Sequence, residues 1–317
     1  MKDSEVIHRA AEIIREGGIV AFPTETVYGL GANAFDPLAV ARIFEVKRRP
    51  LFDPLIIHIA RPSDVRKIVL KIPTKAKHLI DRFWPGPLTV VLLKRPEVPD
   101  IVTAGLPTVA VRMPDHPLAL RLIEEADCPI AAPSANLFGY LSPTTADHVR
   151  DQLGDQVDLI LDGGPCEVGL ESTILSVVEE RPVLLRPGGV PLEEIESIIG
   201  EVDRALVEED KPTAPGMLRR HYAPRTPIVL DWCEDNLDFC RGKRIGLLAF
   251  QEPKNFLKFD QIEVLSKKGD FREAAASLFS AIRRLDALNL DLILAEAVPE
   301  VGLGRAIMDR LRRASHT

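Results

Sequence analysis

The stretch GIVAFPTETVYGLG, residues 18–31, is the part of the sequence that decides the fold. It begins with an apolar run bounded by glycine, which predicts a short buried strand. Pro23 ends this strand, because proline has no backbone N–H to donate to a sheet. The polar residues TET at 24–26 follow in a predicted loop, which Gly29 and Gly31 allow to bend closely. Open α/β sheets bind ligands at the mouths of such strands, and the alternative is a capped turn between strand and helix.

Two later segments favour a binding site over a capped turn. The sequence PSAN at 133–136 follows a predicted short strand at 129–132. The sequence EST at 171–173 begins another predicted strand. We interpret the three polar segments as parts of one candidate site.

Length and composition predict a globular protein of two domains. The chain has 317 residues, of which 46% are hydrophobic and 27% are charged. No apolar run is long enough to span a membrane, and the N-terminus resembles an amphipathic helix rather than a signal peptide. The four cysteines lack C-x-x-C spacing, which favours neither a disulfide framework nor a zinc site. We therefore expect a cytoplasmic protein.

The distribution of charge argues against a broad nucleic-acid-binding surface. The net charge is −7. Residues 1–220 carry 25 Lys and Arg against 33 Asp and Glu, whereas residues 221–317 carry 15 against 14. Aromatic residues are only 5% of the chain, too few to suggest a base-stacking platform. Basic residues that matter for function must therefore act locally.

The first predicted domain, residues 1–202, is a mixed α/β body of about seven to nine strands. One helix is predicted to begin after Asp36, a typical N-cap before proline, and to end at KRR, residues 47–49. Another is predicted to begin at Ser142, which also precedes a proline, and to end near Leu153.

A change of character marks the end of this domain. Residues 203–227 lose apolar periodicity and contain several prolines, which predicts a linker. The linker holds His221 and Tyr222, whose polar groups favour a lid over a passive spacer. Strands and helices alternate again in residues 228–317, which predicts a small parallel α/β domain.

The chemistry-bearing residues suit two substrates, one small and polar and one phosphorylated. The sequence has no Walker motif, no nucleophile elbow and no apparent catalytic triad. It offers isolated hydroxyls and cations in the predicted loops, and phosphoryl transfer needs such positioning and charge neutralisation more than a protein nucleophile. These residues are Thr24, Thr26, Ser134, Ser142, Ser172, Thr173, Lys47, Arg49, Arg112 and Arg186.

Several of these segments together resemble the YrdC-like family. They are PTETVYGL at 23–30, KRRP at 47–50 with DPL at 53–55, PSAN at 133–136, EST at 171–173 and LRPG at 185–188. The sequence HYAP at 221–224 and the second domain resemble the longer, two-domain members. The resemblance implies a YrdC-like twisted mixed α/β domain followed by a small Rossmann-like α/β domain.

The resemblance also implies an activity. Members of the family are L-threonylcarbamoyladenylate synthases, which make threonylcarbamoyl-AMP and pyrophosphate from L-threonine, bicarbonate and ATP with Mg²⁺. The product serves threonylcarbamoyladenosine modification of tRNA. The carbamate of threonine is itself the nucleophile, so no catalytic side chain is implied beyond positioning and charge stabilisation, for which Lys47 and Arg49 are the best candidates. No metal site on the protein is implied.

Matching the family motifs residue by residue gives an expected role for each site residue. The residues expected around L-threonine are Thr26, His58, Arg112, Ala132 and Ser172. The residues expected to contact ATP are Lys47, Arg49, Asp53, Thr108, Ser134, Ser142 and Arg186. Many relatives have Asn where this chain has Asp53, and a carboxylate can only accept hydrogen bonds. From the residues alone, His58 within its apolar run is more typical of a structural histidine.

Two other functions stay open at the level of sequence. One is a double-stranded RNA or tRNA-binding module, which the acidic charge of residues 1–220 disfavours. The other is a carbamoyl transferase of the hydrogenase-maturation type, although the acylphosphatase and zinc-finger segments of that class are not found in the sequence. For a synthase, the expected partners are the downstream tRNA-threonylcarbamoyl transferase machinery, with a weak contact to tRNA and none to a membrane.

Overall fold

The structure is a computed structural model that describes residues 3–205, 213–218, 221–230, 232, 240–253 and 259–316. The described helices are α1 (Asp3–Arg15), α2 (Pro37–Lys47), α3 (Thr74–Phe83), α4 (Asp100–Thr103), α5 (Pro117–Ala126), α6 (Ala146–Leu153), α7 (Leu192–Ile199), α8 (Phe271–Asp286) and α9 (Gly304–Ser315). Two 3₁₀ helices lie at Pro62–Lys67 and Gly154–Gln156.

The described strands form two separate sheets. A mixed sheet of ten strands has the order β10-β9-β8-β4-β5-β3-β6-β2-β1-β7, and a parallel sheet of four has the order β11-β14-β12-β13. The mixed sheet consists of β1 (Val20–Phe22), β2 (Gly29–Asn33), β3 (Ile56–His58), β4 (Leu88–Leu93), β5 (Thr108–Arg112), β6 (Ile130–Ala131), β7 (Leu159–Ile160), β8 (Thr173–Ser176), β9 (Val183–Arg186) and β10 (Asp203–Arg204). The parallel sheet consists of β11 (Ile228–Val229), β12 (Ile245–Ala249), β13 (Gln261–Val264) and β14 (Leu292–Ala295).

The expected mixed domain followed by a small parallel α/β unit is confirmed. The mixed sheet has ten strands, one more than the seven to nine that the sequence predicted. The tenth strand, β10, comes from the start of the predicted linker and pairs in parallel with β9. The division of the chain at 202–203 and 227–228 stays a prediction.

The prediction that Gly29 and Gly31 bend a loop is wrong. Both lie in β2, which pairs antiparallel with β1. A Cβ on Gly31 would lie 2.7 Å from Phe22 Cε1 and 2.6 Å from Ile130 Cγ2. The glycines are therefore needed because neighbouring side chains pack directly against the β2 backbone, not because the chain turns there.

One of the two predicted helix starts is confirmed. The Asp36 carboxylate accepts hydrogen bonds from the first backbone N–H groups of α2, as an N-cap should. The predicted start at Ser142 is wrong, since the N-cap of α6 is Thr145, whose hydroxyl accepts from His148 N. The Ser142 hydroxyl instead donates to Glu171.

One face of the mixed sheet is only partly covered by helices. At the β1 end, α1 and α5 pack over it, in a cluster that contains Phe22. Further along the same face, Ile56 and Ile174 pack with Ala214 and Met217 of the predicted linker. An opening remains between these two covered regions, and it contains the candidate site. The opposite face packs against α2, α3, α6 and α7 in the main core.

The C-terminal unit shares its core with the N-terminal unit. Its helices α8 and α9 bury a cluster that also includes Val27, Leu141 and Leu170 of the N-terminal unit and Tyr222 of the linker. Burial of apolar surface is worth about 25 cal/mol per Å², so this shared cluster stabilises the contact between the units. None of the helices in the described ranges is long and apolar enough to cross a membrane.

Candidate active site

The cavity on the partly covered sheet face brings most of the predicted site residues together. It has about 530 Å³ of empty space, part of it open to solvent. The predicted residues that line it are Thr24, Thr26, Arg49, His58, Arg112, Ala132, Ser134, Ser172, Arg186, His221 and Tyr222. The predicted residues outside its lining are Lys47, Asp53, Thr108, Ser142 and Thr173.

Arg112 forms one end of the cavity. It is the last residue of β5 and is almost fully buried. Its Nη1 donates to Thr26 Oγ1 at 2.9 Å, and its Nη2 faces the carboxylate of Glu25. Thr24 fixes this loop by donating to the Val27 carbonyl at 2.6 Å. The result is a buried guanidinium held by several contacts in the wall, which suits recognition of a carboxylate.

His58 lies next to Arg112, because β3 and β5 are parallel with these two residues in register. Burial and the Arg112 charge lower the pKa of His58 to about 3, so the imidazole is neutral at physiological pH. Within the described part of the chain, its Nδ1 has no hydrogen-bond partner. A buried and unpartnered ring nitrogen in a cavity wall favours a ligand contact over a purely structural role.

Arg186 and Ser172 form another part of the cavity wall. Arg186 Nη2 donates to the Ser172 carbonyl at 2.9 Å, and Nη1 donates to the Pro215 carbonyl of the linker at 3.1 Å. The Ser172 hydroxyl lies 2.7 Å from the hydroxyl of Thr89 in β4. Arg186 Nε has no partner among the residues that the structure describes, which leaves a donor for a ligand.

Arg49 contributes a third guanidinium, held by the chain that follows it. Its Nε donates to the Asp53 carbonyl at 3.1 Å, and its Nη2 donates to the Pro54 carbonyl at 2.8 Å. The Asp53 carboxylate lies 2.9 Å from the same Nη2. Burial raises the pKa of Asp53, and the charge of Arg49 opposes the increase. The buried Asp53 carboxylate is thus compensated by Arg49.

Lys47 is placed behind the cavity wall rather than in it. Its Nζ donates to the carbonyls of Ser134 and Asn136, and the side chain is fully buried. Burial lowers the pKa of Lys47 well below its ordinary value. This geometry makes Lys47 a support for the PSAN loop.

Thr108 begins β5 on the same face as Arg112, four residues before it.

The linker contributes Pro215, Gly216, His221 and Tyr222 to the lining of the cavity. His221 packs edge-on against Phe138 at 6.0 Å, and Tyr222 packs on Phe279 of α8 at 5.5 Å. Burial lowers the pKa of His221 to about 3. Arg219 and Arg220 of the linker lie outside the described residues.

The sequence motifs did not reveal how the charged groups beside the cavity are paired. Glu25 pairs with Arg112, and Arg310 of α9 pairs with Glu171 at 2.8 Å. No motif marks Arg310. Its helical position, on the same face as the buried Ile307 and Leu311, was the available signal that this charge is buried.

Comparison with known proteins places both units in one family. Residues 12–188 match the Sua5/YciO/YrdC family model, described as "Telomere recombination". Residues 190–316 match the Sua5 C-terminal model, described as "Threonylcarbamoyl-AMP synthase, C-terminal domain".

Relatives resemble the chain over nearly its whole length. A threonylcarbamoyl-AMP synthase of Bacillus subtilis is 46% identical, over 98% of this chain and 92% of the relative's length. One of Pyrococcus abyssi is 50% identical, over 98% of this chain and 94% of the relative's length. The crystal structure of P. abyssi Sua5 complexed with L-threonine is similar with a TM-score of 0.92, at 47% identity over 99% of this chain and 95% of that one. The chain therefore belongs to the Sua5/YciO/YrdC family, in the form that carries the Sua5 C-terminal domain.

Proposed function

We propose that the protein is an L-threonylcarbamoyladenylate synthase, which forms threonylcarbamoyl-AMP and pyrophosphate from L-threonine, bicarbonate or CO₂, and ATP. The observation that carries this proposal is the cavity itself, in which Arg49, Arg112 and Arg186 converge with several hydroxyls. Such a site can bind one carboxylate and one polyphosphate. Relatives with this activity in their names match nearly the full chain.

The threonine end of the cavity is the wall around Arg112. Its guanidinium suits the substrate carboxylate, and the hydroxyls of Thr26 and Ser172 lie in the same lining. The neutral imidazole of His58 can donate to or accept from the threonine hydroxyl. Ala132 lies in the same lining, where its small side chain leaves space for the substrate.

The ATP end is the wall that contains Arg49, Ser134 and Arg186. Two guanidinium groups neutralise phosphate charge, and a hydroxyl can bond a phosphate or ribose oxygen. Thr108, Asp53 and Ser142 lie outside the lining of the cavity, so a contact with ATP requires the wall to move.

The reaction requires no protein nucleophile. The threonine amine adds to CO₂ and loses one proton, which gives a carbamate. A carbamate oxygen then bonds to the α-phosphorus of ATP while the bond from that phosphorus to the β-phosphate bridging oxygen breaks, and pyrophosphate leaves. Arg49 and Arg186 stabilise the charge that develops on the phosphates.

Mg²⁺ is proposed to enter with ATP rather than to occupy a site on the protein. The described residues contain no group of three potential metal ligands. The carboxylates of Asp53 and Glu171 face Arg49 and Arg310. The ion would neutralise phosphate charge and would be held mainly by triphosphate oxygens and water.

We propose that the product passes to a transferase that modifies tRNA. A mixed anhydride hydrolyses readily in water, so a direct transfer to such a partner would protect it. The acidic balance of residues 1–220 favours a weak contact with tRNA at most.

The test is product formation with each amino acid in turn. The protein is incubated with ATP, bicarbonate and one amino acid, and the adenylate is detected by mass spectrometry. Only threonine should give the full rate, and Arg112→Gln should lower it by about a hundredfold or more. The matched control is Arg95→Gln, which removes an exposed arginine paired with Glu97.

Two results would overturn the proposal. One is an adenylate that forms equally well with every amino acid. The other is no adenylate combined with RNA binding that weakens steeply with salt, which would favour the RNA-binding alternative.

A further inference from the structure

Arg310 belongs to the C-terminal unit, yet its guanidinium is buried against the N-terminal unit. It lies in α9 and is only 1% exposed. Its Nε donates to Glu171 Oε2 at 2.8 Å, and its Nη1 donates to the Pro187 carbonyl at 3.0 Å. Nη1 also lies 2.6 Å from Oδ2 of Asp309. The guanidinium therefore bridges two loops of the N-terminal unit.

The two acceptors lie beside residues expected to contact ATP. The carboxylate of Glu171 also accepts a hydrogen bond from the Ser142 hydroxyl. Pro187 directly follows Arg186 in the chain, and its carbonyl is the group that Arg310 holds. A shift of Arg310 would therefore move two parts of the nucleotide wall at once.

Arg310 also supports the linker. Its guanidinium carbon lies 5.1 Å from the centre of the Tyr222 ring, within cation–π range. Tyr222 has a φ of 61°, a left-handed conformation that is unfavourable for a tyrosine. Packing against Arg310 and Phe279 holds it there, with the ring in the cavity wall.

The charge of the pair is retained at working pH. Burial raises the pKa of Glu171, but the charges of Arg310 and Arg186 and hydrogen bonds from Ser142 and Arg310 outweigh it, and the pKa falls to about 2. Burying two charges costs desolvation energy, which replacement by apolar groups would avoid. What the pair contributes is therefore a specific geometry, in which Arg310 is held against Glu171.

Building on the proposed function, we propose that Arg310 is a positioning residue for the nucleotide side of the cavity. It does not line the cavity, so it acts through Glu171, Pro187 and Tyr222. On the threonine side, Arg112 bonds Thr26 and the Ser172 hydroxyl bonds Thr89, two contacts in which Arg310 takes no part, and only Ser172 is shared with Arg186. The C-terminal unit thereby sets the affinity for ATP without touching it.

The test compares Arg310→Lys with Arg305→Gln. A lysine keeps the charge but cannot reproduce the fork that joins Glu171 to Pro187. Arg305 lies in the same helix and forms an exposed pair with Glu193 of α7 at 3.0 Å, outside the cavity. Melting temperature and the separate dissociation constants for ATP and threonine are measured for both variants and the wild type.

In Arg310→Lys, ATP binding should weaken about tenfold or more while threonine binding changes less than about threefold. Arg305→Gln should leave both affinities unchanged. Equal ATP affinities for the two variants, or a parallel loss of both ligands in Arg310→Lys, would overturn the proposal in favour of a role in domain docking alone.

If Arg310→Lys does not fold, Glu171→Gln provides the same comparison with the arginine retained. Its ATP affinity should also fall about tenfold, and wild-type affinity would overturn the proposal. Failure of the proposed function is a separate result, because the wild type would then form no threonine-dependent adenylate while nucleotide affinities could still be compared.

Discussion

Arg49 and Asp53 form an ion pair inside the protein, four residues apart in sequence. Arg49 Nη2 lies 2.9 Å from Asp53 Oδ1, and both side chains are buried. From the sequence, Arg49 is one of three cations at the end of a helix, where it would contribute roughly 0.3–1 kcal/mol to stability. The buried pair implies a larger effect.

We expect Arg49→Ala to lower the free energy of unfolding by about 3–5 kcal/mol, because it leaves Asp53 charged and unpaired. Binding of ATP should also weaken, by about 1.5–3 kcal/mol for the lost charge-assisted contact. Urea unfolding and nucleotide titration measure the two effects. Asp53→Asn in the Arg49→Ala background should restore part of the stability but none of the ATP affinity.

Arg48→Ala is the matched control, since Arg48 ends the same helix but is exposed. Arg48→Ala should lower the free energy of unfolding by less than about 1 kcal/mol. Equal decreases in the free energy of unfolding for Arg48→Ala and Arg49→Ala would show that the buried ion pair does not add to stability.

Local patterns in the sequence predicted elements where local forces decide the structure. The N-cap at Asp36 occurs where capping predicts it, and β1 ends at Phe22, directly before Pro23, as predicted. Gly31 was misinterpreted because the reason for it lies in Phe22 and Ile130, which only the folded sheet brings near.

Prediction of the candidate site has the same limit, because contacts between distant segments form only in the folded protein. Motifs identified most of the polar residues that line the cavity, because these occupy a strand end or a loop beside one. They gave no sign of Arg310, whose partners Glu171 and Pro187 lie more than a hundred residues away in the chain. They also could not place Lys47 behind the wall, since its acceptors are backbone carbonyls of a distant loop.

Amino-acid choice should depend on the threonine hydroxyl. His58 lines the cavity and has a ring nitrogen that no residue in the described ranges bonds, and a site that hydrogen-bonds a hydroxyl strongly rejects the isostere that lacks it. Valine should react at least about a hundredfold more slowly than threonine, and serine should be a partial substrate. The rate of pyrophosphate release is measured with each amino acid in turn. His58→Leu should reduce the ratio of the threonine rate to the valine rate. Equal rates with valine and threonine would remove this assignment.

Acidification should destabilise the protein through two buried histidines. Burial lowers the pKa of His58 and of His221 to about 3, below the ordinary value of 6.5. Between these values the unfolded chain binds more protons, so stability is complete above pH 6.5 and decreases as the pH falls towards 3. At pH 5 each histidine should cost about 2 kcal/mol.

Urea unfolding at pH 7 and pH 5 measures this loss. His221→Gln should reduce the difference between the two pH values by about 2 kcal/mol. His8→Gln, at an exposed histidine, is the control variant. An unchanged difference in His221→Gln would show that the buried ring does not contribute to the acid sensitivity.

The linker is expected to act as a lid rather than a tether. Ala214 and Met217 pack on the sheet beside the cavity, and Pro215 accepts a hydrogen bond from Arg186. A carbamate and a mixed anhydride hydrolyse in open water, so the site must be covered during turnover. A solvated spacer that only joins two domains is the alternative.

Two truncated chains distinguish these roles, one ending at Ala205 and one at Leu230. The first should remain folded by circular dichroism, because the main core lies within the N-terminal unit. It should lose about tenfold or more of its adenylate formation, or release AMP in place of the intermediate. The second keeps the described segments 213–218 and 221–230 and should retain more activity. Full activity without release of AMP in the chain that ends at Ala205 would show that the linker is only a tether.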